Sequence, residues 1–452
     1  MTKKDFFIFL TCTTAVFFDF VVITISGFDL SMFTLFSLVF SPLIILNHLL
    51  SNRDLGINFS LLFGFLFILY LIVSKFISWF AVPVEVLPYE ASYFEQRYRL
   101  FRANWGSFYQ LFYPILYFLT AFALSMRIRT KELLFSGISY LIYSGLFVAL
   151  IGFLFQIINA LGLDLLPLFS LMSYGRIEVS EIEARVLYQS FGPINRMYSF
   201  SGEPGFTANM LLVNLALLVG LSHRFLKPLP NIDPSINEEF ILNKSKLLII
   251  IFILSMLTLS TAAYLGFILT LFFLVLISRN ITTNLARVVF YFCSLLVLIY
   301  LLAPNLLNYL IENHLSKLSG DSGSGSIRLL NLYYSFEILK SNFIFGIGYA
   351  SHRSATLFFS LLTNIGFFGF SLFLLFIGSL AFRGLNSLIL PNSGRALSLT
   401  LIVWAVSSFI SQTGVALLFP WFWVLCAFLG SPVFNSLKIK KSYEHEKKPR
   451  YS

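Results

Sequence analysis

Residues 133–160 read LLFSGISYLIYSGLFVALIGFLFQIINA, an apolar run with no charged side chain. It follows Arg127-Ile128-Arg129-Thr130-Lys131, with Glu132 between. About 20 predominantly apolar residues span a bilayer as a helix, and a basic segment at one end is retained on the cytoplasmic side. Working outward, the same pattern recurs at 6–26, 30–50, 57–80, 106–126, 205–222, 247–260, 262–278, 288–303, 355–382, 397–413 and 416–435. The expected fold class is therefore an all-α polytopic integral membrane protein with about 12 transmembrane helices. The run from 247 to 278 is too long for one untilted helix, and Ser260-Thr261-Ala262 offers a break within it.

Composition agrees. Of 452 residues, 58% are hydrophobic and 12% charged, whereas a soluble domain is about a quarter charged. This excludes a cytosolic enzyme and a disordered tail protein. The net charge of +10 is explained by topology and not by nucleic acid. With both termini in the cytoplasm, 20 of the 31 Lys and Arg fall on the inner side. Cys12, Cys293 and Cys426 all lie in apolar runs, as free thiols and not a disulfide framework. The first run lacks an Ala-x-Ala-like cleavage site and reads as a retained helix. Asn-x-Ser/Thr triplets at Asn58, Asn243 and Asn280 fall on the inner side and read as chance matches.

This layout divides the chain into membrane helices over 1–160, a large outer loop at 161–204, further helices over 205–303, and a second large outer loop at 304–354. A last helical block covers 355–437, and a basic cytoplasmic tail 438–452. A third outer loop, 81–105, is of medium length. Water-side activity belongs in the large loops. Within the second, Ser319-Gly320-Asp321-Ser322-Gly323-Ser324-Gly325-Ser326 reads as a flexible hinge. It precedes an amphipathic run, 326–341, with Ile327, Leu330, Tyr334 and Ile338 at helical spacing, expected to lie as a short helix at the membrane surface.

The first large loop ends at Arg196 and Glu203, with Pro204 suited to open the next helix. Glu203 reads either as a cap on the positive end of that helix or as a carboxylate available for chemistry at the membrane boundary. The second loop carries Arg328 and ends Phe345-Gly346-Ile347-Gly348-Tyr349-Ala350-Ser351-His352-Arg353-Ser354. Gly346 and Gly348 permit a tight turn with exposed amides, an anion nest. Together with Arg196, Arg328 and Arg353 they suggest an outer-face phosphate site, since the planar guanidinium grips phosphate oxygens in pairs. The bland alternative for each arginine is contact with lipid headgroups. Asp19 falls within the first span, Lys75 is placed to snorkel outward, and Asp29 lies in the first outer turn. No Asp-x-Asp occurs, and the one Glu-x-Glu in an outer loop is Glu181 with Glu183, so no metal site and no cofactor are expected. Walker A, His-Glu-x-x-His and Gly-x-Ser-x-Gly motifs are absent, against an ATPase, zinc protease or serine hydrolase.

From Arg328 through Gly346, Gly348, His352 and Arg353 to Asn364, Gly366 and Gly369, the chain resembles the C-terminal signature of bacterial O-antigen polymerases of the Wzy type. Arg196 with Glu203-Pro204 resembles the family's first large loop. The resemblance implies a GT-C-like enzyme of the bacterial inner membrane with two large periplasmic loops. It would polymerise undecaprenyl-diphosphate-linked repeat units on the periplasmic face by metal-independent, inverting glycosyl transfer. Donor and acceptor would both be lipid-linked glycans, with membrane lipids and a polysaccharide chain-length regulator as further partners. Arg196, Arg328 and Arg353, with Gly346 and Gly348, would bind the diphosphate, Arg328 also acting in catalysis. Glu203 would be the base, with His352 second. O-antigen ligases share much of the pattern but commonly carry His-Asn just inside the following helix, where this chain has Ala355-Thr356. A lipid-linked oligosaccharide flippase is the alternative of another class. It would show two similar six-span halves, and no half-repeat is visible.

Overall fold

The computed structural model describes residues 3–17, 20–25, 28–51, 58–87, 98–101, 106–163, 197–200, 204–221, 244–260, 264, 266–270, 272, 323–387, 390–411 and 417–434. Its helices in chain order are α1 (Lys3–Thr14), α2 (Met32–Leu50), α3 (Phe59–Ile77), α4 (Phe112–Arg127), α5 (Lys131–Ala160), α6 (Pro204–Gly220), α7 (Lys244–Leu257), α8 (Gly323–Asn342), α9 (Leu357–Leu385), α10 (Pro391–Ser411) and α11 (Pro420–Gly430). Two short antiparallel pairs accompany them: β1 (Val21–Ile25) with β2 (Phe28–Ser31), and β3 (Glu85–Val86) with β4 (Arg99–Leu100).

Six helical stretches among the described residues are long and apolar enough to cross a membrane: Met32–Leu50, Phe59–Phe80, Tyr109–Arg127, Lys131–Ala160, Leu357–Leu385 and Pro391–Ser411. The apolar helices Pro204–Gly220, Lys246–Leu257 and Pro420–Gly430 are shorter. An all-α membrane protein is the class this describes. The caps are legible locally. Asn58, Thr130 and Thr356 each accept the amide three residues on, at Leu61, Leu133 and Phe359. Proline opens α6, α10 and α11, where its missing N–H costs nothing. Asn58 also donates to the carbonyl of Gly430, tying the start of α3 to the end of α11.

Several expectations are corrected. The run 6–26 is not one helix: α1 stops at Thr14 and a hairpin of β1 and β2 follows. The β-branched run Val21-Val22-Ile23-Thr24-Ile25 suits a strand. Gly323–Ser326 belongs to α8 and is not part of a hinge. Lys75 does not snorkel, being 1% exposed on the packed side of α3. The long run from 247 does break where expected: α7 ends at Leu257, Leu259 takes a positive φ of 49°, and helical residues resume at Tyr264. Asp19, residues 288–303 and most of the first large loop lie outside the described residues.

Most of the core is one large cluster of aliphatic and aromatic side chains. In α6 every side chain from Thr207 to Gly220 is buried, so this helix is surrounded by others. Gly220 packs on Ala396 of α10, and the row Leu212, Ala216 and Val219 meets Leu399 and Val403, an antiparallel pair. Outward-facing Leu, Phe and Ile line α2, α3, α5 and α9.

Candidate functional site

Helix α9 is interrupted at Gly366, which adopts φ 66° and ψ −177°. Such a break orphans backbone groups on both sides, costly inside a bilayer. The segment after α8 supplies the missing partners. Ile347 N–H donates to the Thr363 carbonyl (3.0 Å) and Gly348 N–H to that of Asn364 (2.7 Å). From the other side, Phe367 and Phe368 N–H donate to the carbonyls of Phe343 (2.8 Å) and Ile344 (3.1 Å). The Tyr70 hydroxyl of α3 takes the carbonyl of Ile365 (3.1 Å). Residues 342–348 thus stand in for a lost helical turn.

Close approach makes glycine obligatory here. A Cβ on Gly366 would sit 2.3 Å from the Ile344 oxygen, and one on Gly346 2.5 Å from the Gly366 nitrogen. Gly346 and Gly348 have φ of 71° and 95°. Their amides are not turned toward an open nest, as the sequence suggests. Gly346 N–H donates to the Asn342 carbonyl (2.9 Å), and that of Gly348 is spent in the break.

Asn364, two residues before the break, holds the segment that leads into α9. Its Oδ1 accepts from the amides of Ser351 (2.8 Å) and His352 (2.7 Å), and its Nδ2 donates to the His352 carbonyl (2.8 Å). His352 is wholly buried. Its Nδ1 accepts from Leu87 N–H (3.2 Å), while Nε2 faces Ser335 Oγ of α8 (3.2 Å). An accepting Nδ1 leaves the proton on Nε2, so the ring is neutral. Burial pushes its pKa down to about 4. Both ring nitrogens are committed, which fits a bracket between three elements and not the second base that the sequence offers. Arg353, next in the chain, is half-buried and donates its amide to the Leu87 carbonyl (2.9 Å).

Helix α8 is amphipathic in an unexpected sense. Its buried stripe is Asn331, Ser335, Ile338 and Asn342, whereas Leu329, Leu330, Tyr333 and Phe336 are exposed. Of the apolar stripe read from sequence, only Ile338 points inward, into a small cluster with Val86, Phe101 and Ile347. Asn342 exchanges hydrogen bonds with the Val82 backbone (2.9 and 3.2 Å), so the 81–105 segment is docked on α8. Arg328 is exposed, seven residues before Ser335 and hence on the same face, about 10 Å along the axis. His352 and Arg353 therefore belong to one hydrogen-bonded unit, and Arg328 is carried by the helix that Ser335 ties to it. Arg196 and Glu203 lie outside the described residues. The chain resumes with buried Met197, Tyr198 and Ser199, and Ser199 meets Thr207 of α6 at 2.9 Å. Among the described residues no group of three or more His, Cys, Asp or Glu gathers.

Sequence reasoning missed Ser335 and the Leu87 backbone. The polar spacing Asn331, Ser335, Asn342 was the available signal for an inward-facing polar stripe. No protein-family model matches the chain, and no curated protein is significantly similar to it.

Proposed function

We propose that the chain is an inner-membrane glycosyltransferase that joins undecaprenyl-diphosphate-linked repeat units into an O-antigen or related surface polysaccharide on the periplasmic face. The acceptor hydroxyl oxygen bonds to the donor's anomeric carbon. The bond from that carbon to the diphosphate oxygen breaks, and undecaprenyl diphosphate leaves with inversion. Negative charge grows on the departing oxygen, so fixed cations there stabilise the transition state more than the ground state. What supports this reading is the fixing of Arg353 and the Arg328-bearing helix by one network through His352, Ser335 and Asn364. Arg328 and Arg353 hold the diphosphate in this scheme, with Arg196 as a third cation. Glu203 takes the acceptor proton, and His352 is a positioning residue. Gly346 and Gly348 serve the helix break. A lipid-linked donor and acceptor and a chain-length regulator are the partners.

The test is Arg→Lys at Arg328 and at Arg353, because an ammonium cannot make the paired contact. Loss of about 2–4 kcal/mol, or roughly 10²–10³ in rate, abolishes long-chain polymer while the protein still accumulates in the membrane. Near-normal polymer in both variants refutes the diphosphate role and leaves these residues as lipid anchors. Glycan profiling of a deletion strain separates the neighbouring activities. Core capped with single repeat units marks a polymerase, uncapped core marks a ligase, and an unchanged profile marks neither.

A further inference from the structure

On the flank of α8 away from Arg328, β3 and β4 build a ledge that the reaction scheme does not use. The register pairs Glu85 with Leu100, so Glu85 and Tyr98, two residues from Leu100, share one face of this small sheet. Tyr98 stacks on Tyr334 with ring centroids 4.0 Å apart, and Tyr333 meets Tyr334 edge-on at 5.4 Å. The Tyr98 hydroxyl bonds Asn331, fixing its ring. The Glu85 carboxylate lies close enough to the Tyr334 hydroxyl to hold its pKa above the ordinary value. Glu85 is exposed, and Tyr333 is 56% exposed.

Three contiguous aromatic rings beside an exposed carboxylate make a specific kind of surface. Ring faces pack on the C–H faces of a pyranose, and a carboxylate accepts from its hydroxyls without a positive partner being needed. The carboxylate argues against an anionic ligand. We propose that this ledge of Glu85, Tyr98, Tyr333 and Tyr334 binds a neutral saccharide. The inference rests on the glycosyl-transfer reading for its context. Lying on the other flank of α8 from Arg328, the ledge would hold glycan beyond the reacting sugars, as a growing chain requires. The competing use of exposed tyrosines is to anchor the protein in the headgroup layer.

The experiment uses purified full-length protein in lipid nanodiscs, with neutral methyl glycosides of common pyranoses as probes and ligand-observed NMR as readout. Saturable binding of at least one glycoside is expected. Tyr333→Ala and Glu85→Gln each weaken it about tenfold or more, and Lys340→Ala, on the same helix but outside the ledge, does not. Equal thermal midpoints for all variants exclude misfolding, and if Tyr333→Ala fails to fold, Glu85→Gln carries the test. No saturable binding to the wild type, or unchanged binding in both ledge variants, overturns the proposal and leaves the tyrosines as membrane anchors. Because binding is read without any transfer, glycoside binding by a protein that makes no polymer keeps the ledge and overturns the transferase.

Discussion

Replacing Gly366 by Ala places a methyl group where the backbone of another segment already lies. Three costs follow from the structure. Alanine must adopt φ 66° and ψ −177°, a region essentially reserved to glycine, at about 1–3 kcal/mol. The new Cβ stands 2.3 Å from the Ile344 oxygen and 2.5 Å from the Gly346 nitrogen, both backbone atoms that no side-chain rotation can move aside. The 343–348 segment must then withdraw, and four backbone hydrogen bonds across the break go with it, each worth about 1 kcal/mol. Roughly 5 kcal/mol is the expected loss in the local docking of this segment. Gly378 is the control. It lies in the same helix with nothing within 4 Å of its would-be Cβ, so Ala there gains about 0.5–1 kcal/mol of helix propensity. Hydrogen–deuterium exchange in nanodiscs reads both. Peptides covering 342–350 should lose most of their protection in Gly366→Ala and none in Gly378→Ala. Equal protection in the two variants refutes the reading of 342–348 as the replacement for a helical turn.

Two further expectations can be checked on the same material. The folded protein keeps His352 neutral with a pKa near 4, against 6.5 when the segment opens, so bracketing is intact above pH 6.5 and weakens as pH falls toward 4, by about 3 kcal/mol in all. Protection of 343–356 should fall across that window in the wild type and not in His352→Gln, and matching pH profiles would discard this account. Elongation of a lipid-linked substrate should also proceed in excess chelator. Activity lost there and restored by magnesium or manganese would promote Asp29 or the Glu181/Glu183 pair.

The helices were legible where apolar length and a cap coincide, as in α3, α5 and α9, because burial and local chemistry agree there. Pro204 opening α6 is of the same kind. The first run misled because 6–26 is predominantly apolar, and hydropathy does not distinguish a helix from a strand within such a run. Lys75 misled because a long side chain near a helix end snorkels by default, and only the neighbouring elements reveal that its face is covered. For α8, apolar spacing pointed to the wrong face, since its polar residues Asn331, Ser335 and Asn342 turn inward to hydrogen-bond while Leu329, Leu330 and Phe336 stay exposed. The glycines at 346, 348 and 366 were visible as a pattern. Their employment was not, because close backbone approach is a relation between segments distant in the chain.

The break in α9 also has a consequence for how the chain is made. Every group that closes it comes from upstream: Tyr70 from α3, then Phe343, Ile344, Ile347 and Gly348. All have left the ribosome before Gly366 does. The interrupted helix therefore emerges into a membrane where its complement already exists, and its exposed carbonyls and amides need never wait in lipid for a partner still to be synthesised.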